Sequence, residues 1–102
     1  MPKLEQLIEM LNAEPGDSFL RYAVAMEHLK AKDYDQAIGQ FDELLRRNPD
    51  YVAAYFMGGR ARQQKGDLSG AKAIYAQGVA VARKAGDQKA VREIGEALAL
   101  LG

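Results

Sequence analysis

The sequence predicts an all-α protein of about six helices in one domain. Three observations support this prediction. Thr, Trp and Cys are absent while Ala is abundant, a composition poor in strand formers and rich in residues that lose little entropy in a helix. Apolar residues recur three and four positions apart, which is the helical period. The length of 102 residues suffices for one modest core but not for two.

Acidic residues mark the expected helix starts. Asp17, Asp33, Asp50, Asp67 and Asp87 each precede an amphipathic stretch, as N-cap residues do. Basic residues cluster at the expected helix ends, just before the next of these aspartates. The helix dipole favours acidic residues at helix starts and basic residues at helix ends. The predicted helices span residues 3–13, 18–31, 34–47, 51–65, 68–85 and 88–101.

The segments that begin at Ser18 and at Val52 align at an offset of 34 residues without a gap. This is the period of the tetratricopeptide repeat (TPR), and small residues such as Ala25 and Gly59 stand where that repeat has them. The chain resembles the small bacterial-type, two-repeat members of the TPR family. The offset pairs Tyr22 with Phe56, Asp33 with Asp67, Ala37 with Ala71, and Phe41 with Tyr75.

Some positions depart from the repeat pattern. The early large aromatic residue is Tyr55 in the second unit but Arg21 in the first. His28 and Arg62 stand where a Tyr is usual, and Arg83 replaces the closing Pro.

The repeat interpretation divides the single domain into four parts. Residues 18–51 form the first repeat and residues 52–85 the second. Stacked repeats leave apolar faces uncovered at both ends, so terminal caps are expected. We expect residues 1–16 to supply an N-terminal capping helix and residues 87–102 a C-terminal one. Their apolar stripes are Leu4, Leu7, Ile8 and Leu11, and Val91, Ile94, Leu98 and Leu101.

Residues for catalysis are scarce. His28 is the only histidine and Cys is absent, so neither a metal site nor a nucleophile with its base is evident. Gly58 and Gly59 precede Arg60, but they fall inside a predicted helix, where close helix packing explains them better than phosphate binding. Ser18 and Ser69 lie at helix starts. We therefore expect a non-enzyme without a cofactor or metal.

Charge and hydropathy restrict the partners and the compartment. Lys plus Arg and Asp plus Glu each number 14, so no net field attracts nucleic acid or an anionic membrane. No stretch approaches the ~20 apolar residues that a membrane span requires. The N-terminus is charged and lacks a signal-peptide core. We expect a cytoplasmic protein that binds neither nucleic acid nor membrane.

The resemblance implies a binding surface for a protein or peptide in the concave groove formed by the first helices of the repeats. Aromatic and Met residues there suit an apolar peptide or amphipathic helix. They disfavour the Lys, Arg and Asn array with which some family members hold a carboxylate. The predicted groove residues are Phe19, Tyr22, Met26 and Lys30 in the first row, and Phe56, Met57, Arg60 and Gln64 in the second.

Other interpretations remain open at this point. The chain's own terminal helix, or a second copy in a homo-oligomer, would also cover an apolar groove. A further alternative is that the chain is an assembly or regulatory accessory subunit of a larger complex. A small enzyme would need a pocket of clustered titratable groups, which the sequence does not offer.

Overall fold

The computed structural model describes residues 2–102, and all regular secondary structure in that range is α-helical. This confirms the all-α prediction. Each predicted helix boundary lies within one residue of the observed one. The helices are α1 (Pro2–Ala13), α2 (Ser18–Lys30), α3 (Tyr34–Arg47), α4 (Val52–Lys65), α5 (Leu68–Lys84) and α6 (Gln88–Leu100).

Aspartate caps begin three of the helices. The carboxylates of Asp17, Asp67 and Asp87 each accept a 3.0 Å hydrogen bond from the backbone N–H three residues later. Such bonds satisfy N–H groups that have no partner inside the helix. Asp33 occupies the N-cap of α3 without a side-chain bond of this kind.

The expectation that Asp50 caps α4 is wrong. The N-cap residue is Tyr51, one position later, and it makes no side-chain cap bond. The ring of Tyr51 instead packs against that of Tyr22 in α2, with centroids 5.5 Å apart. The turn between α3 and α4 therefore uses this position for an interhelical contact.

Sequential helices pack side by side from α1 to α6, and the contacts between alternate helices show how the array curves. Helix α4 touches both α2 and α6. Across the described chain, α3 and α5 make no such contact. The helices α2, α4 and α6 therefore line the inner side of a curved array, here called the concave face. Helices α1, α3 and α5 form the opposite, convex side.

The core is built on two buried aromatic rings at equivalent repeat positions. Phe41 and Tyr75 are 0% and 1% exposed. A Cβ atom added at Gly58 would lie 3.3 Å from Cβ of Phe41, and one added at Gly59 would lie 2.6 Å from Cδ1 of Tyr75. Both glycines thus permit close approach of α4 to its neighbours, in agreement with the sequence interpretation.

A proline carbonyl anchors the first helix of each repeat. The Tyr55 hydroxyl donates to the Pro49 carbonyl oxygen at 2.7 Å, and Nη2 of Arg21 donates to the Pro15 carbonyl oxygen at 3.0 Å. Each member of one pair lies 34 residues from its counterpart in the other. The repeat offset therefore extends back into the turn after α1.

Candidate binding surface on the concave face

The predicted residues of α2 divide into exposed and half-buried groups. Phe19 is 70% exposed and Lys30 is also exposed, whereas Tyr22 and Met26 are half-buried. The Tyr22 ring meets the Phe41 ring edge-on at a centroid distance of 6.0 Å. Tyr22 therefore serves the core as well as the surface.

The predicted residues of α4 divide in the same way. Phe56 is half-buried, with its ring 6.4 Å from that of Tyr75. Met57 is half-buried against the core cluster of the first repeat. Arg60 and Gln64 are exposed.

Two shallow depressions lie between α4 and α6. Phe56, Arg60 and Gln64 border one of about 280 Å³, together with Ala97 and Leu100 of α6. Phe56 also borders a second, of about 210 Å³, near the start of both helices. The structure thus brings three predicted residues together, whereas the four predicted residues of α2 border neither depression.

Sequence reasoning missed the contribution of α6 to this surface. Leu100 is 87% exposed, and Glu93 and Ala97 also border the depressions. The capping role predicted for α6 concerns only its packing stripe. Leu100 lies outside that stripe. An apolar residue at a position that faces away from the packed side is the sequence feature that could have indicated this surface.

Charged groups on this face differ in how they are paired. Nζ of Lys30 lies 3.4 Å from a Glu27 carboxylate oxygen, and Nζ of Lys3 lies 3.5 Å from the same oxygen. Burial opposes ionisation of Glu27, yet these two lysines hold the pKa of its carboxyl below the usual value. Arg60, in contrast, forms no ion pair with any residue from 2 to 102. Its guanidinium is therefore available to a ligand.

The aromatic part of the surface is uncharged over the ordinary pH range. Burial raises the pKa of Tyr22, and the neighbouring Tyr51 raises it further. Burial likewise raises the pKa of Tyr75, against a smaller opposing effect of Arg60. Both rings therefore stay neutral, and Tyr22, the half-buried one of the two, offers apolar and edge-on aromatic contacts at the surface.

His28 lies away from this face. Its side chain is 12% exposed, and Nδ1 stands 3.9 Å from an Asp33 carboxylate oxygen, on the convex side of α2. Within residues 2–102, no group of three His, Asp or Glu side chains is arranged to hold a metal ion. In the same range no helix has the length and hydropathy to cross a membrane.

A family model described as tetratricopeptide repeat matches residues 28–94, more than half of the chain. A TPR repeat-containing protein of Pseudomonas aeruginosa is 33% identical over 91 residues, which cover 89% of this chain and 87% of that protein.

Solved structures give the same result. The solution structure of a TPR domain protein from Salinibacter ruber is 39% identical, with a TM-score of 0.80 over 85% of this chain and 88% of that one. A protein from Bordetella parapertussis superposes with a TM-score of 0.85 at 28% identity, over 96% of this chain and 85% of that one. Matches in sequence, in repeat period and in structure thus agree, and the chain belongs to the tetratricopeptide repeat family, whose members are generally non-enzymatic modules for protein–protein interaction.

Proposed function

We propose that this protein is a non-catalytic interaction module that binds the apolar side of a partner peptide or amphipathic helix along its concave face. The observation that carries the proposal is the exposure of large apolar residues there. Phe19 and Leu100 are 70% and 87% exposed, on the first and last helices of that face. Family membership supports an interaction role in general.

The apolar area of the concave face suits a ligand of the size of a helix. Aromatic side chains bury roughly 150–250 Å² each when fully covered. Tyr22, Met26 and Phe56 add half-buried apolar surface between the exposed ends. The thioether of Met26 adapts to ligands of varied shape. Such surfaces typically receive an amphipathic helix through anchors at helical spacing.

Within residues 2–102, the chain's own helices leave Phe19 and Leu100 largely uncovered. Helix α6 lies beside α4 and α5, and α1 lies beside α2, so neither one crosses the concave face. The remaining alternative is a second copy of the chain, or a role as an accessory subunit of a larger complex. Arg60 favours a ligand that places an acidic residue near the apolar contact.

Phe19→Ser with Leu100→Ser is the sharpest variant for testing the proposal. Both residues are mostly exposed, so stability should change little, whereas Tyr22→Ala or Phe56→Ala would also disturb the core through Phe41 and Tyr75. Interface anchors of this kind contribute roughly 2 kcal/mol or more to binding. We expect the double variant to lose its partner, and the wild-type complex to persist as salt is raised.

The measurement is a pull-down from native lysate, combined with size-exclusion chromatography and light scattering. Leu68→Ser is the matched control, because Leu68 is 49% exposed but lies on α5 of the convex side. Retention of the partner by the double variant would refute the proposal. A wild-type dimer that the double variant dissociates would favour the homodimer. Loss of binding at moderate salt would indicate an electrostatic groove instead.

A further inference from the structure

The convex side carries a cavity that the proposed helix-binding surface does not include. It opens between α1 and α3, with α2 as its floor, and has a volume of about 430 Å³. Ile8, Leu11 and Val24 make part of its wall apolar, while Gln36 and Gln40 contribute amide groups. A cavity with both kinds of lining suits a small amphipathic molecule.

A buried guanidinium lies in the wall of this cavity. Arg21 is 9% exposed. Its Nη1 donates to Oε1 of Gln40 at 2.8 Å and its Nη2 to the Pro15 carbonyl oxygen at 3.0 Å. Both acceptors are neutral, and Arg21 pairs with no carboxylate anywhere in the described chain. These bonds leave further N–H donors of the guanidinium unused.

An unpaired charge in this position is costly for the protein. A buried cation loses hydration, and neutral hydrogen bonds compensate only part of that loss. A carboxylate placed against Arg21 would supply the missing countercharge and a planar, bidentate acceptor, which is the geometry that guanidinium groups match best.

In the second repeat, different side chains occupy the equivalent space. Tyr55 replaces Arg21 there, and its neutral hydroxyl serves the proline carbonyl. The cation in that space is Arg62, which donates to an Asp42 carboxylate at 2.8 Å and lies 3.4 Å from an Asp67 carboxylate oxygen. One gap between convex helices therefore contains a paired cation, and the other contains an unpaired one.

We propose that the cavity of the first repeat binds a small monocarboxylate with an apolar substituent. The carboxylate contacts Arg21, and the substituent lies against Ile8, Leu11 and Val24. A monoanion is favoured over a dianion because Asp33, near His28, also borders the cavity and adds a negative charge. The volume exceeds what a lone small ion needs, since a cavity of roughly 10–15 Å³ already holds a water molecule.

The test is an NMR titration of the full chain with 4-methylpentanoate at constant ionic strength. The signals to follow are the Nε–H group of Arg21 and the side-chain amide of Gln40. We expect saturable shifts with the acid and at least about tenfold weaker binding of 4-methylpentanamide and of inorganic phosphate. N-acetylleucine is the second probe, because it presents the same carboxylate in a peptide-like form. Its affinity relative to that of 4-methylpentanoate distinguishes a peptide C-terminus from a free organic acid as the ligand.

Arg21→Tyr copies the second repeat and should fold while losing at least about tenfold in affinity for the acid. Arg92→Gln is the matched control, since it removes the same charge from an exposed position on α6 and should leave binding unchanged. If Arg21→Tyr does not fold, Arg21→Gln provides the same comparison. Absence of saturable shifts, equal binding of the amide, tighter binding of phosphate, or full binding by a folded Arg21 variant would each overturn the proposal.

Discussion

The second repeat has Tyr75 where the first has Phe41, and two further differences accompany the extra hydroxyl. Gln63 accepts a hydrogen bond from the Tyr75 hydroxyl at 2.9 Å, whereas the first repeat has apolar Leu29 at that position. Gly59 leaves room for the Tyr75 ring, whereas the first repeat has Ala25.

The same principle applies to the anchors of the first helices, where Arg21 and Tyr55 both reach a proline carbonyl. Different side chains satisfy one geometric requirement because neighbouring positions change with them. A repeat of this family is therefore specified by sets of interacting residues, and single positions of its pattern vary.

The largest expected effect comes from exchanging the small residue beside the ring. Gly59→Ala should destabilise the protein by about 1–3 kcal/mol, because its Cβ would lie 2.6 Å from Cδ1 of the buried Tyr75 ring. Adding Tyr75→Phe recreates the Ala and Phe pair of the first repeat and should restore part of the loss. Urea denaturation of the three proteins measures these differences.

Gly39→Ala is the control for that experiment. Gly39 lies inside α3 with no neighbouring heavy atom within 4 Å of an added Cβ, and the second repeat has Ala73 at this position. The substitution should stabilise the helix by up to ~1 kcal/mol. Equal stability of Gly59→Ala and Gly39→Ala would show that the Tyr75 ring moves aside without cost.

A smaller effect is expected in the turns between the two helices of each repeat. Gly66 adopts a φ of 99° in the second repeat, whereas Lys32 adopts a φ of 61° in the first. Left-handed backbone is unfavourable for residues with a Cβ. Lys32→Gly should therefore raise the thermal midpoint, with a gain of less than ~1 kcal/mol because glycine also gains freedom on unfolding.

Ala31→Gly provides the matched comparison for this turn. Ala31 has a φ of −80°, so glycine relieves no strain there and should lower the midpoint. A midpoint that falls equally in both variants would contradict the idea that Lys32 is strained.

The smallest effect concerns pH. Hydrogen bonds from Arg46 and then Arg47 hold the pKa of Glu43 at about 2, below its usual value of 4.5. Because the folded-state pKa is lowered, the stabilisation is present above about pH 4.5 and is lost as the pH falls towards 2. Glu43→Gln, which copies Gln77 of the second repeat, should reduce the pH dependence of stability in that window only slightly, since exposed ion pairs contribute little to the free energy of unfolding.

Acid titration of the melting temperature compares Glu43→Gln with the parent chain. Glu9→Gln, an exposed carboxyl on α1, serves as the control for a general change of charge. If the control variant reduces the pH dependence of the melting temperature by the same amount, the contacts of Arg46 and Arg47 with Glu43 have no special role.

Much of the fold follows from the sequence because local signals determine it. The helix period, the Asp caps and the 34-residue offset predicted the helices to within one residue. Asp50 misled the prediction at α4 because acidity alone does not distinguish a cap from a neighbouring turn position. The packing of Tyr51 on Tyr22 decides that turn, and such a contact depends on the distance between helices.

The surface was less predictable than the helices. The offset identified equivalent residues in α2 and α4, but it could not show that Phe56 and Tyr22 also pack on core rings. Nor did it show Leu100 on the same face, because that placement depends on how α6 lies beside α4. Burial of Arg21 was also missed, since an arginine in a helix is ordinarily expected at the surface.

The curvature of the array restricts the direction in which the concave face can deform. Helix α4 already touches α2 and α6, whereas the described parts of α3 and α5 are not in contact. Tightening the curve would force packed inner helices into overlap, which close-packed interiors resist. Flattening the curve brings the described parts of α1, α3 and α5 closer together, and these helices are not in contact with one another. The concave face therefore widens more readily than it narrows, and its present width is close to a lower limit on the thickness of the ligand that we propose for it.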